Sequence, residues 1–328
     1  MEFFPYPSSE NHYQNKFINQ ILYEGKAGGV WHASEKVHGA NASFYYDGKE
    51  AKFGKRSSFI DVGGNFFGFQ AVVPRLEQAA KEYWDSLSEK PDYIILFGEL
   101  CGGSYSHPEV EKVAATKVQR EIDYSPRVEF ILFDIVEVRG DEKKFVNADV
   151  IDAFGDGTNG VFAAPHVFTG TFDECLKIQN EFPTKVPALF GLPDIEGNTC
   201  EGIVIKPVQA AFLNDGSRVI IKSKNARFSE MKKVPNPKTD PAEPMSPENL
   251  ELVRRISEYI NQPRVANVCS KIGEVSIKDF GTVLKALMND VFMEAKQSIE
   301  LKGMDGKVGK MVNRLCAEEV KLYFTGSR

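Results

Sequence analysis

Lys36 stands in Glu35-Lys36-Val37-His38-Gly39-Ala40-Asn41, ahead of an alternating run and an Asp-Gly turn, which places a lysine at a strand end. A lysine used as a covalent nucleophile must lose its proton near neutral pH, so it needs desolvation or nearby cations. Lys222 and Lys224 are candidate neighbours. Two apart on a strand, they project to one face, and the apolar run Val219-Ile220-Ile221 before them points to a cleft rim rather than open surface. Two acids stand at strand boundaries: Glu99 after Ile94-Ile95-Leu96-Phe97-Gly98, and Glu201 before Gly202-Ile203-Val204-Ile205-Lys206. Asp134 interrupts an apolar run, so as a buried acid it must be paired or hydrogen-bonded. Phe133 beside it reads first as core. A nucleophilic lysine, two more lysines, strand-end acids, Arg56 and Phe133 together suit nucleotidyl transfer. In that chemistry the lysine attacks the α-phosphorus, cations neutralise developing charge, and an acid holds a divalent metal.

The elements that must position these residues are strands up to about residue 230. Ala42–Tyr46 meets Lys49–Gly54 through Asp47-Gly48, a hairpin signal. Tyr93–Phe97, Val128–Val136, Gly202–Lys206 and Arg218–Lys222 read as buried strands, and Phe69–Leu87 and Phe172–Glu181 as helices. The mixture is α+β rather than a regular βαβ alternation. Residues 234–247 hold five prolines and little to bury, which marks a linker. Beyond it Ser246 caps a helix with Pro247 at its first position and Val253, Ile256 and Ile260 at helical spacing. Two more helical patterns follow, one capped by Ser276 with Phe280, Val283, Leu284 and Leu287 on its apolar face, the other from Lys307 to Tyr323. The expected division is therefore 1–233, the linker 234–247, and a small all-α domain over 248–328.

The chain has 328 residues, 42% of them hydrophobic, no apolar run long enough to cross a bilayer, and no secretory signal pattern at its start. Five cysteines without CxxC spacing argue against a disulfide framework or a zinc site, so a reducing cytoplasm is expected. The net charge of −6 confines any nucleic-acid contact to local basic patches, such as Lys222, Lys224, Arg227, Lys232 and Lys233, which also read as a solvated charge run.

Taken in order, these elements resemble the covalent nucleotidyltransferase superfamily of ATP-dependent ligases and RNA capping enzymes. Glu35-Lys36-Val37-His38-Gly39-Ala40-Asn41 resembles the nucleophile motif of RNA ligases; DNA ligases and capping enzymes usually carry aspartate at the His38 position. Lys55-Arg56, Phe97-Gly98-Glu99, Phe133-Asp134-Ile135, Glu201 to Pro207 and Ile221 to Asn225 match the remaining motifs. The opening Glu10-Asn11-His12-Tyr13, with Arg264 to Glu274 and Lys278 to Gly281, is similar to the phage RNA ligase 2 family, which seals nicks in double-stranded RNA.

The resemblance implies an ATP-grasp-like catalytic domain of antiparallel sheets with flanking helices, ATP as substrate, and magnesium or manganese. It implies that Lys36 forms lysyl-AMP, that Glu99 and Arg56 hold the ribose, and that Phe133 stacks on adenine with Glu35 near the adenine edge. Glu201, with Asn41 through water, would position the metal, and Lys222 and Lys224 would grip the α-phosphate. His38 would serve AMP transfer to an RNA 5′-phosphate. The partner implied is nicked duplex RNA, the protein a monomer, in the host cytoplasm if the source is viral. Ala40 and Ser34 depart from the common threonine and arginine, which touches RNA-end contacts rather than adenylation. A ligase preferring DNA ends and a non-catalytic RNA-binding descendant are the alternative classes.

Overall fold

The computed structural model describes residues 1–230, 234, 245–301 and 304–326. The chain divides into two compact units, Met1–Asn225 and Ala226–Arg328. Residues 235–244 of the expected linker, and Lys232 and Lys233 of the basic run, lie outside the described residues.

Two sheets build the first unit. One contains β1 (Glu10–Asn11), β2 (Trp31–Lys36), β10 (His166–Gly170), β11 (Gly202–Pro207) and β12 (Ile221–Lys224), in the order β1-β12-β11-β2-β10. The other contains β3 (Ala40–Tyr46), β4 (Ala51–Lys55), β5 (Ser58–Ile60), β6 (Tyr93–Ser104), β7 (Ser125–Arg139) and β8 (Glu142–Phe145), ordered β5-β4-β3-β6-β7-β8, with β9 (Phe162–Ala163) parallel on β7. The pairings are otherwise antiparallel, except β1 with β12.

The Asp-Gly hairpin forms as expected: the Asp47 carboxylate accepts from the backbone N–H groups of Lys49 and Glu50 at 3.0 and 2.8 Å, and Gly48 takes a φ of 90°. In β7 the register slips, with Phe97 opposite Asp134 and Gly98 opposite Leu132, so Phe133 is the extra residue of a bulge. Gly98 is required there, since a Cβ would fall 2.3 Å from the Phe130 ring and 2.7 Å from the Ile131 carbonyl oxygen.

The first unit also holds α1 (Asn15–Tyr23), α2 (Val73–Ser86), α3 (Ala148–Phe154), α4 (Phe172–Leu176) and α5 (Val186–Leu189). The expected helix Phe69–Leu87 is instead a 3₁₀ turn, Phe69–Ala71, followed by α2, because Pro74 in the first turn of α2 has no N–H to continue a helix from upstream. Thr171 and Glu174 cap α4 reciprocally, but it ends at Leu176 rather than near Glu181. Past its end, the Asn180 amide donates to Ser223 Oγ and the Lys224 carbonyl, tying the chain to β12. The strand expected at Arg218–Lys222 lies three residues later, because Arg218 turns inward to pair with Asp134. One core packs α2 against the second sheet through Leu76, Phe44, Leu96 and Leu132. Another packs α1 and α4 against the first sheet through Ile21, Phe172, Trp31, Ile203 and Ile221.

The second unit is helical: α6 (Pro247–Ser257), α7 (Gln262–Ile272), α8 (Phe280–Ala295) and α9 (Gly306–Thr325) surround Val253, Ile256, Val265, Val283, Leu287, Val312 and Val320. Ser246 Oγ accepts from the Asn249 N–H, and Pro247 opens α6. Ser276 caps a 3₁₀ turn, Ile277–Asp279, that leads into α8. Helix α7 escapes the sequence pattern because the fully buried Arg264 interrupts its apolar stripe. Among the described residues no helix is long and apolar enough to cross a membrane.

Candidate active site

Strand alternation decides which residues of β2 meet. Trp31, Ala33 and Glu35 turn toward α4, while His32, Ser34 and Lys36 share the opposite face. Lys36 is registered with Gly202 on β11, which is registered with Lys224 on β12; the next row is Ser34, Val204 and Lys222. Directly opposed residues share a face, so Lys36, Lys222 and Lys224 come to one surface although nearly 190 positions separate them in the chain.

Glu201 lies between the lysines. Its Oε2 is 2.7 Å from Lys36 Nζ and 3.3 Å from His38 Nδ1, and its Oε1 is 2.8 Å from Lys224 Nζ. Burial alone would raise this carboxyl, but Lys224, Lys36 and His38 hold its pKa well below the usual range. The cations therefore meet around a carboxylate, not around each other. Gly202 lets this happen: with a φ of 149°, a Cβ there would sit 2.0 Å from the Ser223 carbonyl oxygen.

Past Lys36 the chain crosses from the first sheet to the second at Gly39, where a Cβ would lie 1.9 Å from the Leu100 carbonyl oxygen. The crossing puts Asn41 on β3 in register with Glu99 on β6. Glu99 is pushed up to about 7 by burial, reinforced by Glu201 and opposed by Lys36, His38 and Arg56. Burial lowers the Arg56 pKa, against the charges of Tyr6 and Glu99.

His38 is bracketed. Its Nε2 is 3.1 Å from Glu121 Oε2, its backbone N–H donates to Tyr124 Oη at 2.9 Å, and Gln119 Nε2 donates to the Gly39 carbonyl at 3.2 Å. Burial opposes charge on the ring, but the two carboxylates outweigh it and raise its pKa. Gln119, Glu121 and Tyr124 were not expected from the sequence; the available sign is polar residues alternating with Val118, Ile122 and Tyr124.

Two predicted residues are placed differently from the rest. The Glu35 carboxylate lies on the face away from Lys36, accepting from Thr184 Oγ1 and, at 2.8 Å, from the Lys185 N–H, and burial pushes it up to about 7. Phe133 is half-buried on the bulge, its ring 4.8 Å edge-on from Tyr6. Beside it Asp134 accepts from Tyr6 Oη, from both Arg218 nitrogens at 2.8 and 3.0 Å, and from Lys206 Nζ at 2.9 Å. These partners outweigh burial and hold Asp134 at about 2. The paired, structural reading of this acid is the one the geometry supports.

Residues 29–224 match the RNA ligase family model, and residues 244–321 the model of the T4 RNA ligase 2 C-terminal domain. The chain belongs to the RNA ligase family. Among its relatives, mitochondrial RNA-editing ligase 1 of Trypanosoma brucei brucei is 33% identical over 249 residues, 66% of this chain and 53% of that protein. Mitochondrial RNA-editing ligase 2 of the same organism is 27% identical over 339 residues, 86% of this chain and 81% of that protein. The chain thus spans about half the length of editing ligase 1. A Naegleria gruberi RNA ligase mutant with ATP and Mn has 13% identity and a TM-score of 0.46, covering 70% of this chain and 58% of its own. The RNA ligase model takes in both the Lys36 motif and the Lys222–Lys224 strand, so the face assembled by β2, β11 and β12 lies wholly inside the family region.

Proposed function

We propose that this chain is an ATP-dependent RNA ligase that joins 3′-hydroxyl and 5′-phosphate ends, at nicks in duplex RNA, through lysyl-AMP and RNA-adenylate. The observation that carries this reading is the cluster of Lys36, His38, Glu201 and Lys224, with Lys222 registered on the same face.

In the first step the Lys36 amine attacks the α-phosphorus of ATP and pyrophosphate leaves. Lys36 acts as a neutral amine, so its pair with Glu201 parts before attack, and Lys222 and Lys224 meet the charge that develops on the α-phosphate. Arg56 and Glu99 hold the ribose, and Phe133 offers a face to the adenine. The Glu35 backbone, rather than its carboxylate, is left to face the base. His38 then supports transfer of AMP to the RNA 5′-phosphate, after which a neighbouring 3′-hydroxyl displaces AMP.

Among the described residues no group of three His, Cys, Asp or Glu side chains forms a cage for a metal. Glu201 with Asn41 still suits a hard ion that keeps its waters and shares substrate phosphates. Magnesium or manganese bound there would supply positive charge that screens the phosphates. On this reading residues 1–233 are the adenylyltransferase domain, 234–247 a linker and 248–328 an RNA-directed helical domain, in a monomer. Five buried free thiols suit a reducing compartment, and we assign the cytoplasm.

The test is incubation with α-labelled ATP and magnesium, followed by denaturing electrophoresis. A labelled band that pyrophosphate discharges, absent in Lys36→Ala with an unchanged melting temperature, is expected. Adduct in that variant would refute Lys36 as nucleophile. Equal sealing of all-DNA and RNA-containing nicks would favour a general polynucleotide ligase.

A further inference from the structure

Beyond Ser34 the face that carries Lys36 runs into a pocket lined by His32, Ser34, Phe133, Asp152 and Lys206, with Leu132 and Ile151 as apolar wall. His32 is 4% exposed, and its Nε2 lies 2.8 Å from Asp152 Oδ2, a carboxylate supplied by α3. With Asp152 accepting from Nε2–H, the neutral ring keeps a bare lone pair on Nδ1. That Nδ1 is buried and has no hydrogen-bond partner. Lys206, the cation of the pocket, directs its ammonium to Asp134 Oδ1 at 2.9 Å and the Phe133 carbonyl at 2.7 Å. A buried polar atom left without a partner carries a penalty of about 1–3 kcal/mol, which a ligand donor would relieve.

The pocket is placed to receive a base. His32 and Lys36 are four residues apart on one strand face, about 13 Å, room for a ribose and a purine laid along β2. Phe133, on its bulge, lines the same pocket.

We propose that the His32–Asp152 pair, with Ser34, forms the end wall of the base pocket and selects a purine bearing an exocyclic amine at that edge, adenine over hypoxanthine or guanine. The inference rests on the nucleotide reading of the Lys36 face and adds specificity residues to it. An amine donates to the lone pair of Nδ1. A carbonyl oxygen at the same place would meet lone pair with lone pair and leave both groups unpaired.

The experiment uses the full chain and measures initial rates of labelled adduct from α-labelled ATP and from ITP, whose base carries a carbonyl in place of the amine. The wild type is expected to prefer ATP by at least tenfold. His32→Val is expected to narrow that preference by about tenfold, one hydrogen bond's worth. Asp152→Asn, which no longer fixes the tautomer, narrows it in the same direction and carries the test if His32→Val does not fold. Equal slowing with both nucleotides, leaving the ratio unchanged, overturns the proposal and assigns the pair to packing. A wild type that forms no adduct with either nucleotide overturns the ligase reading itself, a result distinguishable from adduct formation with unaltered selectivity.

Discussion

Asp134 shows what a single buried charge demands. Tyr6, Lys206 and Arg218 come from three distant segments to satisfy it, and Arg218 also lies 3.7 Å over the Phe145 ring. Truncating one partner leaves an uncompensated buried charge, so Arg218→Met is expected to cost about 3–5 kcal/mol in urea unfolding. Because the folded pKa of Asp134, about 2, lies below the ordinary 3.8, its stabilisation is present above pH 4 and lost as pH falls toward 2. The wild-type advantage over Arg218→Met should shrink across that window. Glu99 has the opposite sign. Its folded pKa near 7 lies above the usual 4.5, so it imposes no penalty below pH 4.5, a growing one up to pH 7, and a constant one above. Glu99→Gln should therefore gain stability relative to wild type between pH 5 and 8, by on the order of 2–3 kcal/mol, as read by denaturant unfolding; a constant difference would contradict the shift.

At the scale of elements, the site depends on where strands cross and slip. Gly39 carries the chain from one sheet to the other with its Cα against Leu100. Gly39→Ala must push β2 and β3 apart and is expected to abolish adduct formation while the helical unit stays folded, judged by labelling and circular dichroism. The bulge at Phe133 has a similar standing: one extra residue places Asp134 inward and leaves the Phe133 ring on the cleft side. In the helical unit the Ser246 cap is a local matter, and Ser246→Ala should lower stability by about 1 kcal/mol without changing adduct yield.

The whole molecule has two cores without shared apolar members, one group in the sheets and one in the helices. Residues 1–233 expressed alone should form labelled adduct, since the cluster around Lys36 lies within them, while losing most end joining. Full sealing by that fragment would remove the helical unit from RNA recognition. A net charge of −6 opposes polyanion binding at long range, so RNA binding should weaken with salt only as far as a few local lysines and arginines dictate.

Local chemistry explains why so much was legible in the residues. Asp47-Gly48 specifies its hairpin through side-chain acceptance and a positive φ, Ser246-Pro247 specifies a helix start, and a two-residue spacing sends Lys222 and Lys224 to one face. The same period places the Glu35 carboxylate opposite Lys36, a consequence available from alternation alone. What alternation does not contain is which strands become neighbours. Register across β2, β11 and β12 brought Glu201 between two lysines, and the loop carrying Glu121 and Tyr124 reached His38 from more than eighty residues away. Such contacts are set by burying whole faces, where a one-residue slip would turn every side chain over. The sequence by itself thus determined the residue types, faces and turns, because these rest on short-range geometry. The tertiary structure alone decided which charges share a carboxylate and which polar atom is left without a partner, because those depend on packing between segments far apart in the chain.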